Sequence, residues 1–112
     1  MYLSIPITDV APGRPAVVAA GEQDEVAVFQ VGEAYYATDR RCPHRHAPLD
    51  QGTVEGTVLI CPLHHFKFNL ETGRCLMPKH IRVRLHPVTR QGDRLVVEVP
   101  DPKPVAVATE TP

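Results

Sequence analysis

Two short stretches of this sequence place metal-binding side chains at close spacing. Cys42-Pro43-His44 and Cys61-Pro62-Leu63-His64 are two Cys/His pairs separated by residues 45–60. Each pair stands on a Pro-containing loop, where two side chains from one short backbone segment can reach a single metal centre. A thiolate is a soft donor and a neutral imidazole a borderline one, so a Cys₂His₂ set suits zinc or an iron–sulfur cluster. Two cysteines buried only as small hydrophobes would not need a histidine two or three residues away. Three cysteines is an odd number, which excludes a fully paired disulfide framework. With no export signal, the thiols are expected to stay reduced. Five of the six histidines (His44, His46, His64, His65 and His80) lie between Cys42 and Leu85.

A single zinc ion would need all four side chains within roughly 2.0–2.3 Å. Zinc fingers pair Cys with Cys and His with His, whereas here each loop supplies one of each. In a Rieske [2Fe–2S] centre two histidines replace two cysteines on one iron. One loop can then span both irons, with its cysteine on one and its histidine on the other.

The pattern Cys-x-His, sixteen residues, Cys-x-x-His resembles the Rieske ferredoxin family. Arg41-Cys42-Pro43-His44 and Cys61-Pro62-Leu63-His64 look like its two cluster loops. Phe66-Lys67-Phe68-Asn69-Leu70-Glu71-Thr72-Gly73 resembles its following strand and hairpin turn, and Pro48-Leu49 and Gly52 stand where its first loop turns back. The resemblance extends over most of residues 1–100. It implies one [2Fe–2S] cluster, with Cys42 and Cys61 on one iron and His44 and His64 on the other through Nδ1. It also implies an all-β Rieske iron–sulfur domain over residues 1–100: an antiparallel β sandwich or barrel with an inserted, loop-built cluster-binding lobe at about 40–79. The implied function is that of a one-electron carrier passing electrons from a reductase to a terminal oxygenase or related enzyme, without being an enzyme itself. The small subunit of NADH-dependent nitrite reductase is similar as well, and a zinc-stabilised interaction module is the third alternative.

Departures from the respiratory branch of the family indicate a soluble, low-potential form. That branch carries an extra, disulfide-bonded cysteine in each loop, at positions held here by Ala47 and Leu63. It also places a Ser and a Tyr hydroxyl where this chain has Phe66 and Phe68. His46 and His65 are expected to be exposed groups beside the cluster, and His80 and His86 satisfied strand or loop residues. Cys75 is expected to be a small buried hydrophobe.

The elements that must position these residues are short strands. A length of 112 residues argues for one domain. The 43% hydrophobic and 22% charged fractions are those of a globular chain. Val17-Val18-Ala19-Ala20 and Glu25 to Val31 read as strands joined by a turn containing Gly21. In the second, Val26, Val28 and Gln30 share one face and Ala27, Phe29 and Val31 the other. Gly32-Glu33 turns into a strand from Ala34 to Thr38, and Val58-Leu59-Ile60 runs directly into Cys61. Ile81, Val83 and Leu85 alternate with Arg82, Arg84 and His86 as in a half-buried strand. Gln91-Gly92-Asp93 leads into a strand whose Leu95, Val97 and Val99 share one face, and the single helix candidate is one turn around Ile7 to Ala11. The Pro-rich tail, 101–112, is expected to be mobile.

No apolar run approaches the roughly 20 residues of a transmembrane helix, and the N-terminus lacks a signal-peptide pattern. A soluble, cytoplasmic protein without membrane partners is expected. A net charge of -1 excludes a nucleic-acid binder that works by overall basicity. Residues 1–39 nevertheless carry six acids against Arg14, and residues 40–94 carry ten bases against four acids. This segregation reads either as solvated charge or as a basic surface offered to an acidic partner.

Overall fold

Strand β3, Glu25–Val31, is apolar on both faces, and a strand of that kind must be covered on both sides. The computed structural model, which describes residues 1–20, 24–43, 47–62, 66–76 and 81–100, shows how. Val26 and Val28 enter one buried cluster with Ile5, Ala37, Leu95 and Val97. Ala27 and Phe29 enter a second, with Cys42, Leu49, Leu59, Cys61 and Phe68. The domain is therefore layered about β3, with the base on one side and the cysteine-bearing lobe on the other.

In the central antiparallel sheet β3 lies between β2, Ala16–Ala19, and β4, Ala34–Asp39, and β8, Leu85–His86, follows β4. Phe29 pairs with Tyr36, and Ala37 with His86. A second sheet has β10, Arg94–Glu98, between β1, Tyr2–Pro6, and β9, Val88–Gln91. Leu95, Val97 and Val99 are buried together, as their alternation requires, and cover the Val26/Val28 face of β3. The base is a sandwich and not a closed barrel. The helical turn appears as a 3₁₀ turn at Ile7–Asp9.

Parts of the fold differ from the sequence reading. The lobe is not built of loops alone, because it contains its own sheet of β5, Thr53–Glu55, β6, Val58–Ile60, and β7, Lys67–Asn69. Strands of three residues carry too little alternation to announce themselves, apart from the apolar run of β6. Within residues 81–86 the pairing is also shorter than expected. Only Leu85–His86 joins a sheet, whereas Arg82 makes an isolated bridge to Arg74 and the Val83 N–H donates to the Gly73 carbonyl at 2.8 Å. The segment crosses from the lobe to the base, so its ladder changes partner midway. Strands β1 and β9 were not expected. In β9, Val88 is half-buried and the next three residues are exposed, so no apolar face marks it. The Gly21 turn and the tail 101–112 lie outside the described residues.

Candidate metal centre

The two cysteine loops share one backbone device. The Cys42 N–H donates to the Ala47 carbonyl at 2.8 Å, and the Cys61 N–H donates to the Phe66 carbonyl at 2.7 Å. Each bond pinches off a loop at its base, and in each the residue after the cysteine is a proline, whose fixed φ and missing N–H limit the paths open to the chain. Cys42 and Cys61 are both fully buried and belong to one cluster with Leu49, Leu59, Phe68 and Cys75. Both cysteines thus belong to the lobe core. His44 and His64 lie outside the described residues, as do His46, His65, His80 and Leu63.

Close contact between backbone segments holds the loops against each other. The Leu49 N–H donates to the Arg40 carbonyl at 2.7 Å, and Arg41 bridges Pro48, which brings the first loop back beside its start. The chain then passes through Gly52, where a side-chain carbon would collide with the carbonyl oxygen of Ile60, the residue before Cys61. Glycine at this position lets the return of one loop lie against the approach to the other.

Charge fixes the approach to Cys42. The Arg40 guanidinium donates to Asp50 Oδ1 at 2.9 Å and to Glu25 Oε1 at 2.8 Å, and the Arg40 backbone N–H donates to the Glu25 carbonyl at 2.9 Å. The hydrogen bond to Asp50 first, and that to Glu25 second, hold its pKa above the ordinary arginine value. Next to it, Asp39 Oδ1 lies 2.7 Å from His86 Nε2, and Asp39 Oδ2 lies 3.8 Å from Arg84 Nε. His86 is a satisfied strand residue, as expected, but it does not share the exposure of Arg82 and Arg84. Its pairing with Ala37 puts it on the same face as Asp39, and its side chain is 4% exposed. Sequence reasoning missed both ion networks, because their partners are far apart along the chain.

Cys75 is a buried hydrophobe as expected, 1% exposed and bridged to Phe68. Phe68 is fully buried in the cluster that holds both loop cysteines, and Phe66 packs against the same cluster. Neither ring can donate a hydrogen bond to sulfur.

Fold and site define a class: a β-sandwich domain with two buried cysteines at the bases of two matched, proline-containing loops. The chain matches the Rieske [2Fe–2S] domain over residues 1–108 and belongs to that family. The group of that family is one [2Fe–2S] cluster, and the two candidate donors among the described residues fit it: two soft thiols, buried together, on segments of equivalent construction. The ferredoxin component of the naphthalene 1,2-dioxygenase system of Pseudomonas aeruginosa is 35% identical over 79 residues, 70% of this chain and 76% of that protein. The ferredoxin in a complex of reduced oxygenase and oxidized ferredoxin of carbazole 1,9a-dioxygenase superposes with a TM-score of 0.78 at 31% identity. That match covers 86% of this chain and 100% of the other. A structure described as the NADH-dependent nitrite reductase small subunit of Mycobacterium tuberculosis has a TM-score of 0.80 at 22% identity. It covers 89% of this chain and 96% of the other, and at that identity it shows the fold alone.

Proposed function

We propose that this protein is a soluble, cytoplasmic one-electron carrier that takes electrons from a reductase and delivers them to a terminal oxygenase, and that it is not itself an enzyme. Its cluster would be held by Cys42 and Cys61 on one iron and by His44 and His64 on the other, within a single domain over residues 1–100. When bound, the cluster supplies a centre that gains and loses one electron. The chain's own residues keep the donors in place. The Cys42–Ala47 and Cys61–Phe66 backbone bonds close the loops, the Gly52–Ile60 contact holds them together, and Phe68 excludes water beneath them. A site held at so many points changes shape little between oxidation states, which favours fast exchange.

The observation that carries this reading is the pair of matched cysteine loops in a chain resembling ferredoxin components of dioxygenase systems. The nitrite reductase reading rests on likeness of fold at lower identity. The protein as isolated should be red-brown and hold two irons and two acid-labile sulfides per chain. After dithionite reduction it should give the electron paramagnetic resonance signal of a [2Fe–2S] centre with mixed sulfur and nitrogen ligation. A colourless protein with one zinc per chain, made under iron-replete expression, would overturn the reading. Copurification with a large nitrite reductase subunit would replace the oxygenase partner.

A further inference from the structure

Arg74 and Arg82 face each other in register across an antiparallel bridge, and both are exposed. Like charges directly opposite one another destabilise a strand pair, so the fold gains nothing from this arrangement. Arg84 lies two residues beyond Arg82, past the buried Val83, with its side chain 63% exposed. The three arginines therefore share one exposed face. The nearest carboxylates offset it only in part. Glu25 is engaged by Arg40 at 2.8 Å, and Asp39 by the buried His86 at 2.7 Å, while Asp39 reaches Arg84 only at 3.8 Å. Arg82 makes one long bond, to the Thr72 carbonyl at 3.5 Å.

This face borders two open depressions. One, of about 450 Å³, is lined by Thr72 and by the chain from Arg82 to Leu85. The other, of about 540 Å³, runs from Arg82 and Arg84 to Arg41 and Pro43, the residues flanking Cys42. Arg82 and Arg84 thus share a depression with the residues on either side of Cys42.

We propose that Arg74, Arg82 and Arg84 form a docking surface for an acidic patch on a redox partner protein, seating that partner beside the Cys42 loop. The inference rests on the electron-carrier reading and adds to it a location and a sign of charge. A protein partner fits better than a nucleic acid. Asp24, Glu25 and Asp39 line the larger depression together with Arg41, Arg82 and Arg84, and such mixed charge suits a protein patch, which can set cationic groups against the acids, better than a uniformly charged phosphate backbone.

The test exploits the opposing effects of one substitution. Arg82→Glu places a carboxylate opposite Arg74, so the thermal midpoint of the holoprotein should stay equal or rise. Binding of a fluorescent deca-aspartate peptide at low salt should nevertheless weaken by about fivefold, the equivalent of about 1 kcal/mol for one reversed exposed charge. Oxidation of the reduced protein by hexacyanoferrate(III), which takes one electron and becomes hexacyanoferrate(II), should slow in the same variant at low salt. The difference should vanish as added salt screens it. Unchanged peptide affinity in Arg82→Glu and in an Arg74→Glu variant would overturn the proposal, and so would tighter binding of duplex DNA than of the peptide. Failure of the carrier reading would show separately, as a wild-type protein without the [2Fe–2S] resonance. The peptide arm would still decide whether the surface binds acidic protein.

Discussion

Replacing Gly52 by alanine tests the claim that contact between the two cysteine loops organises the site. The added carbon would overlap the Ile60 carbonyl oxygen and lie 3.2 Å from both the Ile60 carbonyl carbon and the Leu49 oxygen. All three are backbone atoms, so no flexible side chain can swing aside. Leu49 belongs to the 3₁₀ turn Leu49–Gln51, which closes the first loop, and Ile60 ends β6 one residue before Cys61. Relief must therefore come from parting the two loop supports, which distorts the cysteine geometry directly. Overpacking of this kind costs about 1–3 kcal/mol, and rigid opposing atoms argue for the upper end. For a domain near 100 residues, a loss of about 3 kcal/mol lowers the thermal midpoint by about 12–24 °C. Gly56 supplies the control, since its φ of +61° strains any other residue but an added carbon there meets nothing within 4 Å. Gly56→Ala should cost about 1–2 kcal/mol, and without loss of iron. Far-UV circular dichroism would follow the fold and visible circular dichroism the cluster. In Gly52→Ala the visible signal should disappear on heating before the far-UV signal does. A Gly52→Ala protein as stable as the wild type, or more stable than Gly56→Ala, would refute the reasoning.

Arg40→Gln should lower stability by about 1–2 kcal/mol in denaturant titration, since it breaks a fork between two carboxylates that is only partly shielded from solvent. Arg40→Lys should recover less than half of the loss, because an ammonium cannot reproduce the fork. Alanine at Cys42, His44, Cys61 or His64 should abolish the visible spectrum of the cluster, whereas alanine at His46 or His65 should leave it intact. Loss in His65→Ala with retention in His64→Ala would reassign the ligand. With Phe66 and Phe68 in place of hydroxyl donors, protein-film voltammetry should give a potential near the bottom of the Rieske range, about −150 mV at neutral pH. A wild-type value above about +100 mV would refute the low-potential assignment, and Phe68→Tyr should shift the potential upward if the new hydroxyl reaches a cysteine sulfur.

What could be read from the residue order alone is what physical chemistry makes local. A cysteine and a histidine two or three residues apart are neighbours whatever the fold, so the candidate ligand pairs stand out before any folding is considered. Strands β3, β4 and β10 were legible because short runs of β-forming residues bounded by turns are also local. Other features depend on which distant segments meet. The sheet of β5, β6 and β7 comes into being when three very short strands pair. His86 alternates with two exposed arginines along the chain, yet it is buried, because β4 places Asp39 beside it from 47 positions away. Arg40 finds partners 15 and 10 positions away only because β3 and the Leu49–Gln51 turn converge on the start of the first loop. The facing of Arg74 and Arg82 is likewise a matter of register between segments, which composition cannot encode. The chemistry of the donors was thus determined residue by residue. Their support, and the side of the lobe that carries positive charge, were decided by tertiary contact, because pairing energies depend on distances that exist only in the folded chain.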